Sequence, residues 1–349
     1  MKSHLLSFAK SVGTKISREY ISYGGYFPKE PWGCEGQIYP SLTGIALLEL
    51  YKVTDDDFIL QGVKAIIESN IKKQKSSGGW PLYLGANGNG SRFYISEDIV
   101  KITSELEDLP PTVTALRLIS EYQQVTQDTS YSRSLNLGFN FLQQFWNSKS
   151  GTFDEMLTGD ALKLRACPKD YHIYAFQCVD SLKTICTEAK KYVNPMYLRV
   201  KKNFAEMTDE TYPLLYGMHA ALIAKVEGSS EYVETIIKEE IREKIFKSKF
   251  LIPSVPGALG HRDGLRGICL DEGHLRNAIG AALAIDFYEK ATGTDLFSSA
   301  NLYAEIEYWI QCMYDDGKYF EYLDVQSGMK RGDGSVGYFL PLFWILESF

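Results

Sequence analysis

Between Gly260 and Arg276 the chain reads GHRDGLRGICLDEGHLR, which packs two histidines, three acidic residues and three arginines into seventeen positions. Those residue types supply the parts of proton-transfer chemistry. A histidine titrates near neutral pH and serves as a general base, a carboxylic acid protonates a leaving group, and an arginine clamps a carboxylate. His261, Asp263, Asp271, Glu272, His274 and Arg276 are therefore the candidate catalytic residues, with Arg262 beside them as a substrate-binding one. His261, Arg262 and Asp263 fall on a glycine-rich loop, and His274 and Arg276 are expected to open the helix HLRNAIGAALAIDFYEKATG.

Similar residues recur in short segments that each precede an apolar, small-residue helix. WGCEGQIYP holds Trp32 and Tyr39, ELEDLPPT holds Asp108, and RACPKDYH ends in His172. MTDETYP holds Asp209, Glu210 and Tyr212, and GMKRGDGSVGY holds Arg331. His219 lies one to two turns inside its own helix, where it either faces the axis or is a hydrogen-bonded core histidine. Trp32, Tyr39, Asp108, His172, Asp209, Glu210, Tyr212, His219, Arg262 and Arg331 are the candidate substrate-binding residues. An acidic residue or Thr before a helix is also the ordinary N-cap, so caps are the competing reading for each of the acids.

The elements that must position these groups repeat along the chain. Segments beginning at Thr54, Thr126 and Thr292 share one plan: Asp shortly before an aromatic, an amphipathic helix, then Gly and a second aromatic. Phe58 to Trp80, Tyr131 to Phe153 and Phe297 to Tyr319 are each 22 residues apart. Asp and Thr suit the helix start and Gly its stop. Six such polar helices are expected to start near Ser3, Asp56, Thr129, Pro195, Ser230 and Leu296. Six less polar helices alternate with them, rich in small residues such as Gly44, Ala115 and Gly280. Twelve alternating inner and outer helices predict an all-α fold, an (α/α)6 barrel or toroid, with a helical solenoid as the alternative. The whole chain, 1–349, reads as one domain, with an inserted loop at about 82–108 at the barrel mouth. The segments quoted above would line that same mouth, where helix N-termini present unpaired N–H groups.

Composition excludes several classes. The chain is 45% hydrophobic and 23% charged, enough for a sizeable core. A net charge of −7 without a long Lys/Arg run argues against nucleic acid as a partner. No apolar run reaches the roughly 18 residues of a spanning helix, and the N-terminal segment lacks a signal-peptide pattern, so a cytoplasmic protein without a transmembrane segment is expected. The six cysteines form no CxxC and read as buried thiols. No metal is expected, since HxxxH and EF-hand spacings are missing too. No cofactor is expected, in the absence of GxGxxG, P-loop and GxSxG patterns.

The alternating helices, with Gly-Gly-Trp or Gly-Thr-Phe after outer ones, resemble the α/α toroid proteins: terpenoid cyclases, protein prenyltransferase β subunits, and several polysaccharide lyases and hydrolases. DLPPTVTAL, from Asp108, is similar to the Asp-x-Asp-Asp-Thr element of class II terpenoid cyclases, but Pro110 and Pro111 stand where that family keeps its acid pair. GGWPLY followed by ITSELEDLPPTVTALRLI is similar to the (α/α)6 pectate lyases, without their Asn-Asp element. GICLDEGH shows no match to the prenyltransferase zinc ligands. The resemblance and the mouth residues together imply a carbohydrate-active enzyme, a hydrolase, lyase or epimerase acting on a glycan or acidic sugar. The alternatives are a cyclase-like protein with a polyprenyl substrate and a non-catalytic glycan-binding protein.

Overall fold

A computed structural model describes residues 2–25, 34–36, 38–81, 83–85, 92–95, 98–101, 109–154, 172–206, 222–223, 225–227, 252–253, 272–274, 310–315, 318–320, 322–324, 327 and 329–331. The chain divides into two compact units, one over Lys2–Val200 and one over Lys201–Phe349. Among the described residues no helix is long and apolar enough to cross a membrane.

The first unit alternates two kinds of helix. α2 (Ile38–Thr54), α4 (Leu109–Thr126) and α6 (His172–Leu182) are buried over most of their residues. A helix buried nearly all round belongs to an inner layer. α1 (Lys2–Ser22), α3 (Asp57–Lys73), α5 (Ser132–Gln143) and α7 (Lys190–Ala205) are the more polar set. α3 shows why: it buries Ile59, Gly62, Val63, Ile66, Ile67 and Asn70, a stripe with helical spacing that turns one side inward. α2 packs on α4 and α4 on α6, while α1 lies on α3 and α5 on α4. A Cβ on Gly44 would stand 2.8 Å from Leu118 Cδ2, so the missing side chain lets α2 and α4 approach. α4 and α6 run parallel, with Arg117 donating to Gln177 at 2.7 Å and, further along both helices, Ser181 donating to Ser120 at 2.8 Å.

The repeat seen in the sequence is a physical unit. Thr54 and Thr126 are the last residues of α2 and α4, and each hydroxyl donates 2.8 Å to the carbonyl four residues back. The next residues, Asp55 and Gln127, adopt left-handed φ of 49° and 61° and end the inner helices. Asp56 then caps α3, accepting from the Phe58 N–H at 3.0 Å and pairing with Lys10 at 2.9 Å. The unit closes on its second aromatic: Trp80 and Phe153 are 0% exposed and Tyr319 is 2% exposed. Trp80 Nε1–H donates to the Asn70 carbonyl at 2.8 Å, and its backbone N–H donates to the Thr112 hydroxyl at 3.1 Å. Outer helix α3 is thereby tied to the first turn of inner helix α4. Gly78, at φ 111°, and Gly79 precede Trp80, and a Cβ on either would lie within 2.4 Å of α5, at the Leu137 carbonyl or the Phe141 ring.

The other two aromatics sit on small hairpins. β5 (Trp146–Asn147) pairs with β6 (Thr152–Phe153), and in the second unit β9 (Tyr314–Asp315) pairs with β10 (Lys318–Tyr319). The rings of Trp146 and Phe153 pack across the first at 5.2 Å, and those of Tyr314 and Tyr319 across the second at 4.8 Å. Burial pushes the Tyr319 phenol well above its ordinary pKa.

The structure adds detail to the sequence reading at three places. Within 82–108 lie β2 (Tyr83–Gly85) and a hairpin of β3 (Arg92–Ile95) with β4 (Asp98–Lys101). Four- and three-residue strands are too short to show a period in sequence. α7 starts at Lys190 rather than Pro195, which sits inside it. The 3-10 turn Thr187–Ala189 leads directly into that helix, so proline does not mark its start. α5 starts at Ser132, after a turn in which Asp128 accepts from Ser130.

Replacing Trp80 by Ala removes the buried closing ring and should lower unfolding free energy by about 3–5 kcal/mol in a urea titration. Asp56→Ala should cost about 0.5–2 kcal/mol through the lost cap. The hydrogen bond to Lys10, opposed by partial burial, holds the Asp56 carboxyl below its ordinary value. Its stabilising effect is full above the unfolded-state pKa of about 4 and is lost as pH falls through the lower folded-state value. The gap between wild type and Asp56→Ala should therefore close on acidification and stay constant from pH 5 to 8.

Candidate functional site

In the second unit a four-stranded antiparallel sheet gathers residues far apart in sequence. Its strands are β7 (Ile252–Pro253), β8 (Glu272–His274), β11 (Tyr322–Asp324) and β12 (Lys330–Arg331), in the order β12-β11-β8-β7. Tyr322 is opposite both His274 and Arg331, and Ile252 is opposite His274. One row therefore crosses all four strands: Ile252, His274, Tyr322, Arg331. Glu272 is opposite Asp324, two residues along from that row. Directly opposed residues share a face, and so do residues two apart on a strand. Glu272, His274, Tyr322, Asp324 and Arg331 therefore occupy one face of the sheet.

The intervening row of Pro253, Gly273, Leu323 and Lys330 belongs to the other face. Lys330 Nζ donates to the Tyr314 carbonyl at 3.4 Å and lies 3.6 Å from the Asp315 carboxylate. That contact sets the Lys330 side chain towards the β9–β10 hairpin, and the face of Ile252, Glu272, His274, Tyr322, Asp324 and Arg331 is the opposite one.

His274 thus lies in a strand, not in the first turn of a helix. A strand partner forty-eight positions later in the chain is invisible to local pattern, and it overrides the helix-start reading of GHLR. Of the expected catalytic residues, Glu272 and His274 come together on this face, joined by Arg331 from the expected binding set. Tyr322 and Asp324 follow an outer-helix turn, outside the segments before inner helices that the sequence marks as candidates. The signal available was the closing aromatic Tyr319, after which Tyr-x-Asp resumes with strand spacing. His261, Arg262, Asp263, Asp271, Arg276, Asp209, Glu210, Tyr212 and His219 lie outside the described residues.

In the first unit, the starts of the inner helices carry a second set of expected residues. Tyr39 is in the first turn of α2, partly exposed, and His172 is the first residue of α6, 1% exposed. Trp32 and Asp108 lie outside the described residues. The segment before α2 forms β1 (Cys34–Gly36), paired antiparallel with β2, so Glu35 is opposite Leu84. The loop that enters the first inner helix and the loop that leaves Gly-Gly-Trp-Pro are thus one ladder.

A polar seam also runs between α4 and α6, which the apolar reading of inner helices overlooked. Arg117 pairs with Glu121 at 2.6 Å as well as with Gln177, and Gln124 donates to the Ser181 hydroxyl at 3.1 Å. Arg117, Ser120, Glu121 and Gln124 recur at three- and four-residue steps, a polar stripe on an otherwise buried helix. Cys178, adjoining the seam, is buried, and that burial pushes its thiol far above the ordinary pKa, which disfavours the thiolate. Among the described residues no group of three or more His, Cys, Asp or Glu is placed to hold a metal ion.

No family model matches the chain, and a comparison with curated proteins finds no match. Solved structures do match over its whole length. A D-mannose isomerase superposes with a TM-score of 0.66 at 10% identity, covering 99% of this chain and 97% of that one. Cellobiose 2-epimerase from Bacillus thermoamylovorans also gives 0.66 at 10% identity, covering 100% and 99%. An inactive variant of an α-1,6-mannanase of Salegentibacter, in complex with α-1,6-mannotriose, gives 0.57 at 11% identity, covering 98% of each chain. These neighbours lend no support to the terpenoid-cyclase side of the sequence resemblance. The α/α toroid side holds, and the chain has the (α/α)6 barrel fold.

Proposed function

We propose that this protein is a carbohydrate-active enzyme that moves a proton at a sugar carbon, as an isomerase or epimerase does. The register of β8 on β11 is the observation that carries the reading, because it puts a histidine, an arginine, a tyrosine and two carboxylic acids on one sheet face. In an open-chain aldose the carbonyl acidifies the C2–H bond. His274 takes that proton, and the bond's electron pair moves through the new C1–C2 double bond onto the carbonyl oxygen. Arg331 suits the negative oxygen that develops. Return of the proton to the opposite face of C2 gives the epimer, and return to C1, with the 2-hydroxyl proton passing to O1, gives the ketose. No co-reactant is consumed. That a D-mannose isomerase and a cellobiose 2-epimerase share the fold is consistent with this chemistry.

His261, Asp263, Asp271 and Arg276 are proposed to join Glu272 and His274 as catalytic groups. Trp32, Tyr39, Asp108, His172, Asp209, Glu210, Tyr212, His219 and Arg262 are proposed substrate-binding residues. A second reading is glycoside hydrolysis, favoured by Glu272 lying directly opposite Asp324. Retaining glycosidases hold their two carboxyl groups about 5–5.5 Å apart, a separation that opposed strand positions permit. The α-1,6-mannanase is the neighbour that fits it.

Incubation with D-mannose and with cellobiose in D2O separates these readings. The first predicts a new epimer with deuterium at C2, or a new ketose with deuterium at C1, by NMR. The second predicts no exchange, and new reducing ends from α-1,6-mannotriose. A glycan-binding protein without catalysis would give neither. His274→Ala should lower the exchange rate at least about 100-fold, the usual contribution of a general base, with the melting temperature unchanged. Asp271→Ala should slow turnover as well. Wild-type rates in both variants would contradict the assignment.

A further inference from the structure

We propose that Tyr322 and Asp324 contact the substrate, and that Asp324 and Glu272 together make the site select a neutral sugar over an acidic one. This rests on the carbohydrate reading of the same sheet face and extends it to substrate class. Tyr322 holds the middle of the row, between His274 on one neighbouring strand and Arg331 on the other. A phenol both donates and accepts hydrogen bonds, and its ring suits the apolar face of a sugar.

The acids carry the selectivity argument. Residues directly opposite on antiparallel strands have Cα atoms about 4.5–5.5 Å apart, and like charges in such a pair destabilise a sheet. The chain nonetheless keeps Glu272 opposite Asp324. Ionised carboxylates only accept hydrogen bonds, so the group that best offsets the pair is a set of hydroxyl donors, as on adjacent carbons of a sugar. Among the described residues, Arg331 is the cation that register places on this face, and Lys330 is on the other, held by Tyr314 and Asp315. Among the described residues, two acids stand against one arginine on this face. A uronate or sugar phosphate would meet like charge there, whereas a neutral hexose would not.

Isothermal titration of wild type, Asp324→Asn, Tyr322→Phe and Lys330→Met with D-mannose and with D-mannuronate tests this. Wild type should bind D-mannose at least about tenfold tighter than D-mannuronate. Asp324→Asn should weaken D-mannose about tenfold, the loss of a charged hydrogen bond, and should narrow the preference over D-mannuronate. Tyr322→Phe should weaken D-mannose severalfold. Lys330→Met, on the opposite face, should bind both as wild type does, and melting temperatures report that each variant folds. If wild type binds D-mannose and the Asp324 and Tyr322 variants bind it equally well, this inference is wrong while the carbohydrate reading stands. A wild-type preference for D-mannuronate overturns the selectivity. Failure of wild type to bind either sugar overturns both readings.

Discussion

Trp80 is held from two directions. Its indole N–H reaches the last turn of outer helix α3 and its backbone N–H reaches the first turn of inner helix α4. Its ring is fully buried, and glycines clear the space that the turn needs beside α5. The end of an outer helix thereby fixes the beginning of the next inner one. Asn70 extends the tie, because its amide donates to Ser41 in the first turns of α2 at 2.9 Å. Two inner helices are thus anchored at the same end through one aromatic and its neighbour. Phe153 and Tyr319 close their own repeats in equally buried positions. What varies between repeats is the chain around the anchor, where Phe153 and Tyr319 sit on hairpins and Trp80 does not.

Such an arrangement separates stability from chemistry. The repeat supplies burial, caps and left-handed stops that any sequence of this plan can reuse. The segments beyond the closing aromatics are free to pair with one another. β1 pairs with β2 across the first repeat, and β8 pairs with β11 in the second unit. Register then decides which residues share a face. A slip of one residue between β8 and β11 would send alternate residues to opposite faces and separate His274 from Tyr322. Lys330, fastened to the β9–β10 hairpin on the far face, supplies a side-chain contact that marks which face is which.

Much of the helical frame was legible in the sequence because its signals are local. Thr54 and Thr126 mark the starts of repeats and are the inner-helix ends, and Asp56 is the cap that its position predicts. The 22-residue spacing found three residues that are all buried. The candidate site was legible as residue types but not as geometry. His274 and Glu272 stood out by composition, yet their strand is three residues long and its partners lie elsewhere in the chain. Non-local pairing leaves no periodic trace in so short a segment. Only the pairing of β11 with β8 brings Tyr322 and Asp324 beside His274 and Glu272. Pro195 misled for a related reason, since proline suits a helix start but here falls inside α7.

The central claim is that one sheet face, carrying Glu272, His274, Tyr322, Asp324 and Arg331, receives a sugar. A crystal structure of the wild-type protein soaked with D-mannose tests it most directly. The account predicts a sugar whose hydroxyls lie within hydrogen-bond distance of Asp324 and Glu272, with its C1–C2 edge against His274. A sugar bound on the Lys330 face of the sheet, or away from the sheet altogether, would contradict it.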